Sequence, residues 1–365
     1  MANLRIAFLA TGFPDYSVEA ATALAKRADV LLAGDRDRLR ADSSLEKLER
    51  FRERGRLLSF RQNSLRRRVQ TVLATTARIA RFRPDVIVAH EHAHPHIAWL
   101  HRILGLNAKI LLIIHDPIPH EGRDGDFATR NARHIAVQRR IATAYLVHGD
   151  YCAQALAAVA NPDGRAIVTV PHGPVLRPEK IIPPPAVPKF LMFGRMEEYK
   201  GLDLLLDAFR ILRRRGKHYH LQIAGAGPSL DALQGDFEAL GNCDIRNAFI
   251  PREDAIQDLS SASMVLAPYR EATQSGVVAA AFANGRGVIA TRVGGLPDFI
   301  RDGVNGLLVP GGSASDFADA IERAATSPDL VEEISNGAKK SAASEMSWDV
   351  VANIIIEQAS FQGKK

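Results

Sequence analysis

The feature that most constrains this chain is a repeated alternation between short apolar runs and longer helix-like stretches. The first half contains the runs LRIAFLA, ADVLLAG, DVIVAH, AKILLIIH, TAYLVHG and AIVTVPHG. Strands that are apolar almost throughout and bounded by turn residues are typical of a parallel sheet covered by helices on both faces. The second half repeats the alternation with KFLMFG, HYHLQIAG, CDIRNAFI, SMVLAP and GVIAT. The pattern predicts an α/β fold with two doubly wound, Rossmann-like domains.

A proline-rich stretch, RPEKIIPPPAVPK, marks the boundary between the two halves. Its three consecutive prolines, residues 183–185, form a stiff linker, and 365 residues are more than one ordinary core holds. We therefore predict an N-terminal domain over residues 1–180, a linker over 181–188 and a C-terminal domain over 189–345. The last segment, residues 346–365, is predicted to be an amphipathic helix that packs back toward the N-terminal domain.

Composition excludes several classes of protein. No apolar run approaches the ~20 residues that a helix needs to span a bilayer, and the first apolar run is too short for a signal peptide. The two cysteines, Cys152 and Cys243, lie far apart and outside any metal-ligand pattern. We therefore expect no disulfide framework and a cytoplasmic, reducing location.

Positive charge is concentrated in one segment of the first half. The formal net charge is +6, whereas residues 35–83 carry 15 Lys/Arg against 6 Asp/Glu, a balance of +9 that leaves −3 for the rest. This distribution predicts an anionic partner for residues 36–83, such as the inner face of a membrane, and argues against a nucleic-acid-binding fold. A solvated, charge-rich helical pair is the alternative.

The loop FGRMEEYKG follows the first predicted strand of the second half and places two cations close together. In open parallel sheets, ligands bind beyond the carboxyl ends of the strands, in the loops that lead into helices. Arg195 and Lys200 in such a loop suit a diphosphate, because charge-assisted hydrogen bonds contribute about 1.5–3 kcal/mol each. An exposed loop with incidental charges is the alternative.

Three other strand-to-helix loops in the second half also have the composition of a ligand site. Gly225 and Gly227 allow the backbone to approach a ligand closely. Ser275 and Gly276 stand at the predicted start of a helix, where backbone N–H groups form an anion site. Two more glycines follow the strand GVIAT. Four loops of this kind at one sheet edge are more specific for a ligand than any one of them.

Together these motifs make residues 189–312 resemble the nucleotide-sugar-binding domain of the GT-B glycosyltransferases of family 4. The succession FGRMEEYKGLDLLLDAF, IAGAGP, VLAPY and GVIATRVGGLPDFIRDGVNGLLVP follows the order of that family. The resemblance implies that Arg195 and Lys200 bind the donor diphosphate. It implies further donor contacts from Gly194, Gly225, Gly227, Gln274, Ser275, Gly276 and Val277.

The first half resembles the same family more loosely. The strand end LLIIHDP is similar to the position where the family places a histidine near the transferred sugar, which implies His115 here, followed by Asp116. In a GT-B fold, with its cleft between domains, the loop ATGFPDYS would present Gly12, Tyr16 and Ser17 to donor or acceptor. A buried, hydrogen-bonded core histidine and an ordinary helix entry are the alternatives.

The chain departs from the family at two positions. The family pattern has two glutamates eight positions apart at the donor-binding helix, where this sequence has Ala272 and Ala280. Glu271 is the candidate to replace the first and contact the sugar, unless it is a solvated loop carboxylate, and nothing nearby replaces the second. The form YREATQSGV resembles a branch of the family in bacterial polysaccharide synthesis.

The resemblance implies a metal-independent, retaining glycosyltransferase that moves a sugar from a nucleotide sugar to a saccharide or lipid-linked acceptor, in exopolysaccharide or lipopolysaccharide synthesis. Its catalytic groups would be Arg195, Lys200, His115 and Glu271. We expect no cofactor and no metal, and we interpret the histidines of HEHAHPH as surface residues whose rings do not converge. The alternatives are a non-hydrolysing nucleotide-sugar epimerase of the same fold and a non-catalytic sugar-nucleotide-binding relative.

Overall fold

The chain forms two compact α/β units, each with its own parallel sheet. The computed structural model describes residues 4–42, 45–60, 65–118, 127, 129–160 and 164–361. Unit 1 contains the described residues up to Gly173 together with those from Ser347 onward, and unit 2 runs from Pro174 to Met346.

The sheet of unit 1 is parallel throughout its described strands, with the spatial order β3-β2-β1-β4-β5-β6-β7. Its five central strands are largely apolar and buried, which is why they form the middle layer between helices, whereas the two edge strands are only partly buried. The strands are β1 Arg5–Ala10, β2 Asp29–Asp35, β3 Arg56–Phe60, β4 Val86–His90, β5 Lys109–Ile114, β6 Ala144–Val147 and β7 Ala166–Thr169.

The described helices of unit 1 cover this sheet and include the last helix of the chain. They are α1 Pro14–Leu24, α2 Arg36–Asp42, α3 Leu45–Arg52, α4 Leu65–Phe82, α5 Pro95–Leu104, α6 Ala132–Ile141, α7 Asp150–Ala160 and α15 Trp348–Ser360. Helix α15 packs on α1, and its Val351 and Ile355 are buried. Lys26 and Arg27 on the chain just after α1 bind Asp349 at 3.0 and 3.1 Å.

The sheet of unit 2 is also parallel, with the order β10-β9-β8-β11-β12-β13 among its described strands. These strands are β8 Lys189–Phe193, β9 His220–Ala224, β10 Cys243–Arg246, β11 Met264–Ala267, β12 Gly287–Thr291 and β13 Gly306–Val309. Between them lie α8 Leu202–Arg214, α9 Pro228–Glu238, α10 Arg252–Ser261, α11 Gly276–Ala283, α12 Leu296–Phe299, α13 Ala314–Thr326 and α14 Pro328–Ala343.

Helix α8 shows how the apolar pattern of the sequence becomes packing. Leu202, Leu205, Leu206, Phe209 and Leu212 share one face and are all buried in the core of unit 2. A stripe at this spacing stabilises the helix mainly by removing its apolar side chains from water. The predicted α/β class and the two doubly wound sheets are confirmed.

The division between the units falls after Gly173, so residues 174–180 group with unit 2 and not with the N-terminal half. Hydrogen bonds to backbone carbonyls account for this. Arg252 donates to the carbonyl of Val175 at 2.7 Å. Arg286, whose side chain is fully buried, donates to the carbonyl of Ile182 at 3.0 Å. The proline-rich stretch is therefore held against unit 2.

Both sheets have a switch point, where sequence order reverses beside the first strand. In unit 1, β1 pairs with β2 on one side and β4 on the other, and in unit 2, β8 lies between β9 and β11. Loops leaving the carboxyl ends of such strand pairs diverge and leave space for a ligand. Among the described residues, no helix is long and apolar enough to cross a bilayer.

Candidate functional site

The loop after β8 in unit 2 has a rigid backbone that presents Arg195 to solvent. Gly194 has a φ of 113°, and its N–H donates to the carbonyl of Ala224 at 3.0 Å. Met196 is fully buried and anchors the centre of the loop, while Arg195 is exposed. A single 3-10 turn, Glu198–Lys200, then leads into α8.

Lys200 occupies a different environment from Arg195. Its side chain is only 8% exposed, and its Nζ lies 3.8 Å from the centre of the Tyr269 ring and 5.0 Å from that of Tyr199. Electron-rich ring faces stabilise an ammonium group that has lost most of its water. The two cations of this loop are therefore one exposed guanidinium and one buried ammonium that lies against aromatic rings.

Backbone-to-backbone contacts join the four glycine-containing loops that the sequence singled out. A Cβ at Gly201 would lie 2.0 Å from the carbonyl oxygen of Pro268, and one at Gly225 would lie 1.8 Å from that of Gly194. A Cβ at Gly294 would lie 1.8 Å from the carbonyl oxygen of Ala272. The loops after β8, β9, β11 and β12 thus form one contiguous surface.

These contacts give several predicted donor residues a structural role of their own. Gly225 and Gly227 are required where their loop meets the loop after β8, since a Cβ at Gly227 would lie 2.5 Å from the carbonyl oxygen of Met196. Gly194 also faces the start of α11, because its Cβ would lie 3.3 Å from Cγ2 of Val277. Gly194 therefore brings the cation loop next to the predicted anion-binding helix.

The start of α11 is capped by its own side chain. Ser275 is buried, and its hydroxyl accepts a hydrogen bond from the N–H of Val278 at 3.3 Å. We expected Ser275 and Gly276 to present unpaired N–H groups, and this cap satisfies one donor of the helix end. Gln274, Gly276 and Val277 are half-buried beside it.

The positions that lack the family glutamates differ in environment from their acidic neighbour. Ala280 is 1% exposed within the core of unit 2, where a carboxylate would be costly to bury. Ala272 is also buried, and its carbonyl accepts from the N–H of Gly295 at 2.9 Å. Glu271 is exposed, one residue before it.

The carboxyl edge of unit 1 carries a cluster of four histidines. His90 is the last residue of β4, His115 and His148 directly follow β5 and β6, and His172 follows β7. Successive ring centres along this series are 5.1, 4.8 and 5.0 Å apart. Because β4 to β7 are consecutive neighbours in a parallel sheet, their carboxyl ends bring these residues together.

The histidine cluster is buried and uncharged at neutral pH. Burial lowers the pKa of His90 and of His148 to about 3 and that of His172 to about 4, and it lowers the pKa of His115 well below its ordinary value. The ring of Tyr16 contacts all four, with centre-to-centre distances from 5.3 to 5.6 Å. Burial also raises the pKa of the Tyr16 phenol.

Hydrogen bonds connect this cluster to the loop after β1. The Ser17 hydroxyl lies 2.9 Å from Nε2 of His90, and Nδ1 of His90 lies 3.0 Å from Nε2 of His115. Phe13 has a φ of 48°, and its half-exposed ring lies 3.9 Å from that of His115. A Cβ at Gly12 would touch the His92 ring at 3.4 Å.

A buried ion pair supports the segment that follows His115. Arg139 donates to both carboxylate oxygens of Glu91, at 2.7 and 2.9 Å, and to the carbonyl of Pro117 at 3.2 Å. Burial raises the pKa of Glu91 despite this partner. Asp116 itself is exposed. The backbone just beyond His115 is therefore held by a side-chain network.

Sequence reasoning missed His90, His148 and His172. The interpretation of HEHAHPH as surface histidines is wrong for His90, which is fully buried. A signal was present, because the runs DVIVAH, AKILLIIH, TAYLVHG and AIVTVPHG each have a histidine as their last or next-to-last residue. Within the described part of the chain, no group of three His, Cys, Asp or Glu side chains could hold a metal ion.

The basic segment 36–83 is partly outside the described residues, which omit 43–44 and 61–64. Some of its described cations are neutralised within unit 1. Lys47 binds Asp15 at 2.9 Å and Glu19 at 2.6 Å, and Arg56 binds Asp29 at 3.3 Å. These pairs reduce the charge that is available to an external anionic surface.

Two family profiles match the chain: Glycosyltransferase Family 4 over residues 12–216, and Glycosyl transferases group 1 over residues 187–327. D-inositol 3-phosphate glycosyltransferase from Saccharomonospora viridis is 32% identical over 186 residues, which cover 47% of this chain and 43% of the relative. Alpha-D-kanosaminyltransferase from Streptomyces kanamyceticus is 30% identical over 153 residues, which cover 41% and 40%. The match spans less than half the length of these relatives.

Solved structures show the same fold at low identity. A glycosyltransferase from Rickettsia africae has a TM-score of 0.71 at 16% identity and covers 98% of both chains. HepE from Anabaena, crystallised with UDP and glucose, has a TM-score of 0.71 at 17% identity and covers 98% of this chain and 99% of its own. With a profile that matches more than half of the residues and with these two parallel sheets, the protein belongs to Glycosyltransferase Family 4 and has the GT-B fold.

Proposed function

We propose that the protein is a glycosyltransferase whose donor, a nucleotide sugar, binds to unit 2. The observation that carries the proposal is the contiguous surface of four loops at the switch point, with Arg195 exposed and Lys200 held beside it. A diphosphate is the ligand that best matches two cations and a helix N-terminus at one place. Family membership and a neighbour crystallised with UDP and glucose support the same donor class.

In this proposal the two cations stabilise the negative charge that develops on the diphosphate as the glycosidic bond breaks. The backbone around Ser275, Gly276 and Val277 contributes at the positive end of α11. Glu271 and Gln274 contact the sugar from the loop before that helix. His115 of unit 1 contacts the transferred sugar.

The finer features are proposals as well. We propose that transfer retains the anomeric configuration, needs no metal or cofactor, and delivers the sugar to a saccharide or lipid-linked acceptor in polysaccharide synthesis. Asp116, Gly12 and Tyr16 would lie on the acceptor side. The basic segment 36–83 would contact anionic lipid, which predicts vesicle binding that salt weakens.

Thermal unfolding with a panel of nucleoside diphosphates and nucleotide sugars tests the donor site. A ligand at 100 times its dissociation constant stabilises the folded state by about 2.7 kcal/mol, which raises the unfolding midpoint. We expect one nucleotide series to raise it in the wild type and to lose most of this effect in Arg195→Ala and in Lys200→Met. Arg214→Ala is the matched control, because Arg214 is an exposed cation at the opposite end of α8.

Two results would contradict the donor site: no nucleotide raises the midpoint, or the control loses the effect as fully as the loop variants. With a bound nucleotide sugar identified, turnover in the absence of any acceptor would favour the epimerase. Binding with no turnover across saccharide acceptors would favour a non-catalytic relative, which the burial of Ala280 in place of a glutamate makes a specific alternative.

A further inference from the structure

We propose that Ser17 and His90 are positioning residues that hold His115 in the tautomer protonated on Nε2, so that its Nδ1 accepts a hydrogen bond from a substrate hydroxyl. The tautomer follows from hydrogen bonds within unit 1 alone. That the substrate hydroxyl bonded to Nδ1 belongs to a sugar rests on the proposed function.

Ser17 determines which group donates in each hydrogen bond of the series from Ser17 through His90 to His115. Its hydroxyl oxygen lies 3.0 Å from the carbonyl oxygen of Phe13 and 3.3 Å from that of Gly12. A carbonyl only accepts, and a serine inside a helix commonly donates to the carbonyl four residues earlier. The single hydroxyl proton is therefore used there, and the Ser17 oxygen is left to accept.

His90 must then donate to Ser17 through Nε2, over 2.9 Å. A neutral imidazole carries one proton, so Nδ1 of His90 is an acceptor. The ring is neutral because it is fully buried and contacts Ser17, His115 and aromatic rings, none of which is acidic. The role of Ser17 as an acceptor thus fixes which nitrogen of His90 carries the proton.

His115 is the donor to that acceptor, because its Nε2 lies 3.0 Å from Nδ1 of His90. Nδ1 of His115 therefore has a free lone pair. This atom is buried and has no hydrogen-bond partner among the described residues. A buried acceptor without a donor is unfavourable, and a hydroxyl group that donates to it removes the penalty.

If every hydrogen bond in this series ran in the opposite direction, His115 would present a different group to the substrate. If Ser17 donated to His90, then Nδ1 of His115 would carry a proton and would require an acceptor from the substrate. It would also leave both nearby carbonyls without the Ser17 proton. The tautomer therefore decides whether His115 selects a hydroxyl that donates or an oxygen that can only accept.

A substrate that reaches His115 would have to pass Phe13. The rings that contact His115 are those of Phe13, Tyr16, His90, His148 and His172. Phe13 is 50% exposed, whereas the other four are each 7% exposed or less. A φ of 48° is also unfavourable for phenylalanine, so Phe13 is the contact of His115 that we expect a substrate to displace.

Nitrogen NMR of histidine-labelled protein tests the tautomer directly, without substrate. We expect Nδ1 of His115 to resonate as an unprotonated ring nitrogen and Nε2 as a protonated one, with assignment from the signals lost in His115→Gln. In Ser17→Ala the acceptor for His90 is missing, so His115 should populate both tautomers. Ser17→Thr keeps the hydroxyl and should keep the wild-type pattern.

Thr22→Val is the matched control, because the Thr22 hydroxyl donates to the carbonyl of Val18 at 2.7 Å on the same helix. A protonated Nδ1 in wild-type His115 would overturn the proposal, as would an unchanged tautomer in Ser17→Ala. Unfolding midpoints of all variants establish that each is folded.

The catalytic readout is separate. Ser17→Ala should lower kcat/KM about tenfold, as expected for one weakened hydrogen bond, and the loss should shrink for a donor analogue that lacks the contacted hydroxyl. An equal loss for every deoxy analogue would contradict the hydroxyl contact. If no nucleotide sugar is a substrate, the proposed function fails while the NMR result still decides the tautomer.

Discussion

The carboxyl edges of the two sheets occupy the same place in similar topologies but are built from residues of different chemistry. The edge of unit 2 is made of glycine turns, two cations and a helix end, all within short stretches of chain. The edge of unit 1 is made of neutral, buried rings, and His90 and His115 are already 25 positions apart in sequence. The former suits an anion, and the latter suits neutral groups that exchange hydrogen bonds.

The difference teaches that a shared fold does not determine the chemistry of its switch point. In unit 2 the backbone itself forms the surface, because loop meets loop at carbonyl-to-glycine contacts. In unit 1 the surface is formed by side chains that strand order brings together. Three measurements test this contrast, beginning with the largest expected effect.

Acidification should destabilise unit 1 far more than unit 2. The folded histidine cluster stays neutral, whereas the same side chains in the unfolded chain take up protons as the pH falls below about 6.5. Stability is therefore complete above this pH and is lost toward the folded pKa values of about 3 for His90 and His148 and about 4 for His172. Between the unfolded and folded pKa values, each of these histidines lowers the free energy of unfolding by up to about 1.4 kcal/mol for each pH unit of acidification.

Denaturant unfolding at pH 7.5 and at pH 5 checks this expectation. Both tryptophans, Trp99 and Trp348, lie in unit 1, so their fluorescence follows that unit. We expect a lower midpoint at pH 5 and a weaker pH dependence in His172→Gln than in the control His218→Gln, which changes an exposed histidine of unit 2. If the denaturant midpoint of unit 1 were the same at both pH values, the histidine cluster would not be held neutral by the fold.

Gly225→Ala should be the most damaging of the single changes in unit 2. The new Cβ would lie 1.8 Å from the carbonyl oxygen of Gly194 at a φ of 148°, so the loops after β8 and β9 must separate. Backbone strain and overpacking together should cost about 3–5 kcal/mol of unfolding free energy. Urea unfolding measures the loss.

Gly235→Ala is the matched control for this substitution. Gly235 is exposed within α9, and a Cβ there meets nothing within 4 Å. Replacing glycine inside a helix should stabilise the protein by about 0.5–1 kcal/mol. If both variants changed stability alike, the contact between the loops would not be a requirement of the fold.

The smallest effect should come from the ring beneath Lys200. Tyr269→Leu removes the aromatic face at 3.8 Å from Nζ, while Tyr269→Phe keeps it. A cation–π contact of about 0.5–2 kcal/mol corresponds to a nucleotide affinity that is about 2- to 30-fold weaker in the leucine variant only. Titration calorimetry with the nucleotide identified above compares the variants, and equal losses in both would assign the effect to the hydroxyl.

Sequence reasoning worked best where a structure depends on residues that are neighbours in the chain. The apolar face of α8 was readable because its members recur every three or four positions, and all are buried. The loop of Arg195 was readable because glycines and cations stand within nine residues after a strand. The end of the N-terminal domain was less readable, because residues 174–180 group with unit 2, where Arg252 and Asn284 donate to the carbonyls of Val175 and Leu176.

What the sequence determined by itself is the α/β class, the doubling of the sheet and the location of the glycine and cation loops, because each depends on local periodicity or residue type. Only the tertiary structure decided that four strand-terminal histidines form one buried cluster and that Lys200 lies over Tyr269. The reason is physical. Strand order and loop packing bring together residues that are distant along the chain, and burial then sets their charge.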